Sequence, residues 1–563
     1  MPSADKGGFC VSGKTFTFYI SRFYILHLNP SSISKKVTVE LLFSISLIKQ
    51  LRFNYFCHMD TQLKVQNSLT RKKEVFKPIN EGHIGMYVCG PTVYSDVHLG
   101  NVRTFVAFDV IYRYLLHLGY KVRYVRNITD VGHLEGDVDT GAEDKLAKKA
   151  RLEQIEPMEV AQKYTVGFHE MMNIFNTLSP NIEPRATGHI IEQIEMVQAI
   201  LDNGYAYVKN GSVYFDTLKL SEEKGVYGKL SGRVIEDLLS ETRELKNQSE
   251  KNHPADFAIW IKADENHILR WNSPWSEGFP GWHLECSAMS TKYLGKTFDI
   301  HGGGNDLKFP HHENEVAQNF GACNCHPAQY WLHTNMLLMN GKKMSKSVDP
   351  ETGISNSITP HELFTGDNPN ITKGYSPMVI RFFMLQSHYS STLDLTNEAL
   401  LAAEKGYRRL MDANKVLTGM TAASDGKDAD LGNEINTLLD AANEQMNDDF
   451  NTPMAMARLF ELVSKINGLK DGHLSMSDLS TTTLERLQKT FKDFIYEIFG
   501  LQDELEASGA DGTMDGLMQL IIDIRQSSRE KKDWGTSDKI RDVLKDLSIV
   551  VKDGKDGTVW GKE

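Results

Sequence analysis

Two rhythms of apolar residues divide the chain. In the first half short apolar runs alternate with amphipathic stretches, and beyond Lys346 the amphipathic stretches follow one another with no strands between them. Ile84 to Val88 reads as a strand, and the loop after it opens with Cys89, Gly90 and Pro91. After Gly100 and Asn101, the apolar positions Val102, Phe105, Val106, Val110, Tyr114 and Leu118 recur at the period of a helix, which Gly119 is placed to end. Lys121 to Ile128 resumes strand-like alternation. Strand, loop, helix and strand within about 45 residues make the right-handed unit of a parallel sheet, whose ligands bind in the loops after its strands.

Residues from about 175 to 278 read as an insertion: a helix at His189 to Asn203, glycine-bounded strands from Tyr205 to Phe215, and a polar stretch from Ser231 to Asn252. Strand sequence returns at Thr297 to His301, before long helices at Asn397 to Leu417, Gly432 to Gln445, Thr452 to Asn467 and Thr481 to Ile498. Ser424 to Asp430 reads as a solvated linker and Ala507 to Gly516 as a loop. The expected fold class is α/β. A Rossmann-type parallel-sheet catalytic domain over 59–345 carries the insertion, a loop-bearing linker follows over 346–400, then a helical bundle over 401–505 and a small C-terminal subdomain over 515–563.

Composition narrows the class. Among 563 residues, 62 Lys+Arg against 74 Asp+Glu give 62 − 74 = −12, so a polynucleotide partner must meet local basic patches rather than a bulk field. No run of about 18 uncharged apolar residues is present to span a bilayer. Six scattered cysteines make no disulfide framework and direct attention to metal ligation in a reducing, cytoplasmic setting. Residues 1–58 stand apart, with Asp5 and Glu40 as their only acids against seven Lys/Arg. A start codon placed too far upstream of Met59, a targeting segment and a functional extension all fit them.

Four clusters carry chemistry, and each alone has a plainer reading. His98, Leu99, Gly100 and Asn101 stand at a helix start, where free N–H groups favour an anion, though a solvated histidine would look the same. Lys343, Met344, Ser345, Lys346 and Ser347 place two ammonium groups where charge develops on a transferring phosphoryl group, or form a basic surface loop. Cys89, Cys286, His311 and Glu315 make a reasonable zinc set, the last two sharing one helix face, or are four unrelated side chains. A zincin pattern begun at His312 and Glu313 fails at Val316, and Cys323, Cys325 and His326 read as a surface stretch with free thiols. Near the end, Arg529, Lys531, Lys532, Trp534, Asp538, Lys539, Arg541 and Asp553 combine cations, a stacking ring and base-edge acceptors, or belong to an amphipathic helix with a packed Trp.

Together the first two clusters resemble the paired signature of class I aminoacyl-tRNA synthetases. Tyr87 to Tyr94, His98 to Asn101, Asn127 to Asp130, Gly281 to Met289 and His301 to Glu315 resemble the cysteinyl-tRNA synthetase family in particular, over a span from about Leu63 to the C-terminus. The resemblance implies that Cys89, Cys286, His311 and Glu315 hold one zinc ion and that Thr129 and Trp282 line the amino-acid pocket. It implies ATP or adenylate contacts at His98, Gly100, Asn101, His301, Asp306 and Lys346, with His98, Asn101, Lys343 and Lys346 acting in catalysis, and an anticodon-reading surface at Arg529, Trp534, Asp538 and Asp553. Leu99 departs slightly from a pattern that often has Ile there.

The expected activity is ATP-dependent ligation of L-cysteine to tRNA(Cys) through a cysteinyl-adenylate, with Mg2+ accompanying ATP and the chain acting as a monomer. A thiophilic metal would separate cysteine from serine, where an apolar pocket gains only about 1 to 3 kcal/mol. Two alternatives stay open: the related cysteine ligase of mycothiol synthesis, which lacks an anticodon region, and a tRNA-binding paralogue without catalysis.

Overall fold

The computed structural model describes residues 16–20, 24–28, 62–131, 134–135, 143–153, 155–233, 251–264, 267–344, 355–423, 426–504, 511–547, 549–554 and 557–562. It divides into two compact units, Met1–Gln62 and Leu63–Glu563. In the first, the described residues form the antiparallel pair Phe16–Ile20 and Tyr24–Leu28.

The second unit is built on a four-stranded sheet of β1 (His83–Val88), β2 (Lys121–Arg126), β3 (Phe298–Gly304) and β4 (Ala328–Thr334), in the order β4-β3-β1-β2 and parallel throughout. Helix α1 (Leu99–His117) crosses from β1 to β2 and ends at Leu118, with Gly119 left-handed just beyond it. Helices α2 (Trp282–Leu294) and α3 (Glu313–Cys323) bring the later motifs to the same sheet. Gly302 is required in β3, since a Cβ there would lie 2.2 Å from the Phe108 ring of α1. Between β2 and β3 an antiparallel sheet of Ala206–Lys209, Ser212–Phe215, Phe257–Lys262, Trp271–Asn272 and Glu277–Pro280 closes over the helix Ile190–Asp202.

A small sheet of β5 (Leu337–Met339), β6 (Lys342–Lys343) and β7 (Leu393–Leu395) leads into helices α4 (Pro377–Leu385), α5 (Asn397–Thr418), α6 (Asp430–Asn447), α7 (Thr452–Lys470) and α8 (Thr481–Lys492). The predicted linker at Ser424 to Asp430 is tied down at Asp428, whose carboxylate accepts from Ser480 N at 2.9 Å and Thr483 Oγ1 at 2.8 Å. Last come α9 (Asp511–Glu530), α10 (Trp534–Asp546), β8 (Ile549–Gly554) and β9 (Gly557–Lys562) around Met518, Leu544 and Ile549. The loop expected through Gly516 gives way to helix from Asp511, with Met514 continuing the apolar period of Leu517, Met518 and Ile521 backward past Gly516.

One hydrophobic core unites sheet and bundle, running from Met86 and Phe105 to Leu462 and Phe494. Helix α1 is the shared rod, buried on nearly every side from Val102 to Leu115, as an apolar-all-round helix must be. Its Asp109 accepts from Arg113 Nε at 2.7 Å, Arg381 Nη2 at 2.5 Å and Leu178 N at 2.7 Å. The fully buried Arg381 also donates to the carbonyls of Phe499 and Phe175, each at 2.7 Å, and Tyr114 Oη donates to Asn447 Oδ1 at 2.8 Å.

Candidate metal centre and active site

The end of β1, the first turns of α2 and α3, and the floor of β3 converge on one buried point. Cys89 leaves β1 where Gly90 passes the Asn127 carbonyl so closely that a Cβ would lie 1.6 Å from it. Cys286 stands on α2, His311 in the turn leading to α3 and Glu315 on α3 itself. All four are buried, and their ligand atoms lie within 4.8 Å of one another. The two sulfurs are 3.7 Å apart, Cys89 Sγ is 3.7 Å from Glu315 Oε1, and His311 Nε2 is 3.2 Å from the same oxygen. A tetrahedral zinc would demand edges of about 3.8, 3.6 and 3.3 Å for these sulfur–sulfur, sulfur–oxygen and nitrogen–oxygen pairs. His311 Nε2 completes no hydrogen bond of good geometry, although it stands at ion-pair distance from Glu315 Oε1. The donor set fits zinc.

Electrostatics agree with that chemistry. Burial pushes the Cys89 thiol well up, with Cys286 and Glu315 beside it adding to the shift. For Cys286 burial also acts upward, but contact with Cys89 and with the His311 ring outweighs it and brings the thiol down to about 6. Burial opposes the Glu315 charge too, yet His301 and His311 hold that carboxyl at about 2. For His311 burial acts downward, but Cys286 and Glu315 beside it outweigh this and raise the ring to about 10.

A second donor set overlaps the first: Cys89, His301, His312 and Glu315. His312 Nε2 lies 3.3 Å from Cys89 Sγ, and each of the two histidine rings has further contacts. His301 Nε2 donates to Glu315 Oε2 at 2.8 Å and its ring stacks on Trp331 at 4.3 Å, while His312 Nδ1 pairs with His333 Nε2 at 2.9 Å. His301, which the resemblance places among nucleotide contacts, is 0% exposed and holds the Glu315 carboxylate beside the donor cluster.

Next to the cluster, Thr129 Oγ1 donates to Glu285 Oε2 at 2.8 Å and accepts from Asn127 Nδ2 at 3.0 Å, and the half-buried Trp282 ring lies 4.5 Å from His311. Both expected pocket residues thus adjoin the donors. His98 is the N-cap of α1: its Nδ1 accepts from Asn101 N at 3.3 Å and its own N–H reaches Asn101 Oδ1 at 3.4 Å. The box leaves the His98 ring exposed at a helix N-terminus. Asp306 is exposed beyond β3, and Lys343 is exposed on β6, after the Asn340–Gly341 turn that Asp394 holds through Gly341 N at 2.9 Å. Lys346 lies outside the described residues.

At the far end, Trp534 is 58% exposed and Arg529 and Asp538 are exposed; the side chain of Asp553, on β8, is outside the described set. The packed ring there is Trp560, against Met518 and Leu544. Cys323 and Cys325, expected as free thiols, form a disulfide, since left-handed Asn324 reverses the chain at the end of α3 and brings them together.

Sequence reasoning missed His283, His333, Asn127 and Glu285. His283 Nδ1 sits 3.1 Å from His311 Nδ1, and Asn127 Oδ1 accepts from Gly90 N at 2.8 Å. Asn127, His283 and Glu285 stand inside motifs already singled out but were given no role, and His333 faces Gly303 across the parallel sheet.

Among the described residues no helix is long and apolar enough to cross a membrane. The model for the tRNA synthetases class I (C) catalytic domain matches residues 75–405, and that for the DALR domain matches 441–502. A solved methionyl-tRNA synthetase of Mycobacterium tuberculosis shares the fold at a TM-score of 0.54 and 13% identity, covering 74% of this chain and 91% of its own. The cysteine–tRNA ligase of Chlorobaculum tepidum is 45% identical, over 89% of this chain and 99% of its own length. That of Bacteroides thetaiotaomicron is 52% identical over the same shares. With a catalytic model over most of its length and relatives matched nearly end to end, the chain belongs to the cysteine–tRNA ligase family.

Proposed function

We propose that this chain activates L-cysteine with Mg-ATP and transfers it to tRNA(Cys), selecting cysteine at a zinc ion held by Cys89, Cys286, His311 and Glu315. The observation that carries the reading is the buried donor cluster, whose edges suit a tetrahedral ion, at the C-terminal end of a parallel-sheet strand. When bound, zinc would supply a soft Lewis acid that favours a substrate thiolate over the hard, poorly acidic serine hydroxyl. Thr129, fixed as donor to Glu285 and acceptor from Asn127, keeps one lone pair for the substrate, and the Trp282 ring walls the pocket.

Activation joins the cysteine carboxylate to the α-phosphate and expels pyrophosphate. No side chain need act as nucleophile, so the protein's part is positioning and charge stabilisation. The exposed His98 ring and the free N–H groups of α1 face the phosphates, Gly100 lets the nucleotide approach, and Asp306 and His301 mark the opposite wall. Lys343 and Lys346 stabilise charge on the departing pyrophosphate. The tRNA terminal ribose then takes the cysteinyl group, while Arg529, Trp534, Asp538 and Asp553 engage the anticodon.

Support for the last step is the exposure of Trp534 in a subdomain whose core is made by Met518, Leu544 and Ile549 with Trp560 packed against it. It also disfavours an amino-sugar ligase, which has no use for such a surface. The test is pyrophosphate exchange driven by cysteine and not by serine, with zinc measured in the same preparation. Exchange with another amino acid alone, or full activity without zinc, overturns the reading.

A further inference from the structure

Arg103 lies on α1 one turn after the His98–Asn101 box and is 3% exposed. Its guanidinium is held by backbone carbonyls. It donates to Met336 O and Ser391 O in short hydrogen bonds and reaches His388 O at 3.5 Å, and burial lowers its pKa to about 10. Met336 precedes β5 and Ser391 precedes β7, the two strands that carry the lysine hairpin and its Asp394 anchor. The same turn of α1 touches the glycine-rich segment: Thr104 Oγ1 meets Thr334 Oγ1 at 2.9 Å, and Thr334 O accepts from Asn305 N at 2.8 Å. One helical turn thus grips the bases of all the segments that would surround a nucleotide.

Behind the clamp stands the bundle. Asp449 and Phe450 join α6 to α7 with φ of 66° and 54°, left-handed values that are outliers for residues with a Cβ, above all for a buried phenylalanine. Asp449 Oδ1 accepts from Tyr389 Oη and from Gln66 N, each at 2.8 Å, and Asp449 O pairs with His388 Nε2 at 2.8 Å. The segment that Arg103 grips is therefore held on its other side by a strained turn of the bundle. Phe450 and Arg103 line one small cavity together with Val110, Met384, Tyr389 and Thr452, so the turn and the clamp adjoin.

We propose that Arg103 is a positioning residue for cysteine activation, fixing the lysine hairpin relative to the His98–Asn101 box, and that the Asp449–Phe450 turn supports it from the bundle. The inference rests on the proposed ligase reading. Displacing the hairpin by about 1 Å would cost about 100-fold in rate. The cysteine pocket is built from β1, α2 and α3 and would be untouched.

The experiment is steady-state pyrophosphate exchange by the full chain with thermal melting alongside. Arg103→Met should lower kcat by about 100-fold with KM for cysteine unchanged, Arg103→Lys should recover part of the loss, and Asp449→Asn should give a smaller fall in the same parameter. If Arg103→Met does not fold, Arg103→Lys and Asp449→Asn decide alone. Variants that melt lower but keep their kcat, or that lose kcat and cysteine KM together, overturn the proposal. A wild-type chain that fails to exchange with cysteine instead sinks the ligase reading.

Discussion

The donor cluster and the C-terminal subdomain treat their functional side chains in opposite ways. Cys89, Cys286, His311 and Glu315 are at most 5% exposed and braced by neighbours such as His301 and Asn127, whereas Trp534 is 58% exposed on a subdomain with a small core around Met518, Leu544 and Ile549. Telling sulfur from oxygen demands a dry site in which every lone pair is committed beforehand. Reading a base demands an open face that the partner completes. Damage to the first should abolish activation, and damage to the second should spare it.

The sharpest way to break that contrast is Cys286→Ser. Zinc content and cysteine-dependent exchange should fall together, by more than the 10- to 100-fold typical of losing a neighbour of a ligand. Retained zinc with normal exchange would remove the cluster from the reaction. His301→Gln comes next, with metal affinity in chelator competition expected to drop by about 10- to 100-fold. A raised KM for ATP at unchanged metal affinity would return His301 to the nucleotide, as its sequence motif suggests.

Across the molecule, Trp534→Ala should cut tRNA charging about tenfold, a stacked base being worth about 1 to 3 kcal/mol, while exchange stays near normal. Collapse of exchange as well would make Trp534 a packing residue and erase the contrast. The smallest effect belongs to Asp533, which caps α10 by accepting from Thr536 N at 3.2 Å and from Thr536 Oγ1 at 2.7 Å. The Thr536 hydroxyl and N–H lower its carboxyl below the usual range. A depressed folded-state pKa gives stability that is full above the ordinary value of about 3.9 and is lost as pH falls through the lowered one. Asp533→Ala should therefore speed amide exchange in α10 at pH 7, and the difference from wild type should vanish in strong acid.

How far the sequence could be read follows the same division. Cys89, His311 and Glu315 were legible because a strand end and a helical i, i+4 spacing are local, and β1, α1 and β2 because their apolar periods are uninterrupted. Arg103 was not legible, since its partners are backbone carbonyls more than 200 positions away that leave no trace in residue type. The contact of His301 with Glu315 was not legible, because its glycine-rich strand suggests phosphates, whereas Gly302 makes room for Phe108. The Cys323–Cys325 bridge depended on the backbone angle at Asn324, which composition does not encode. The start of α9 was obscured by Gly512 and Gly516, residues that mark turns more often than helix.

Helix α1 has a bearing on how such an enzyme comes apart. Its N-terminus carries the His98–Asn101 box while Asp109, Arg113 and Tyr114 are tied to Arg381, Asn176 and Asn447, so sheet and bundle share a single rod and one core. They should melt as one cooperative transition in calorimetry. A cut after Leu385 would strip the far half of α1 of the bundle packing that buries it and take away the Asn447 partner of Tyr114. The bundle cannot be exchanged between relatives as a module unless α1 travels with it.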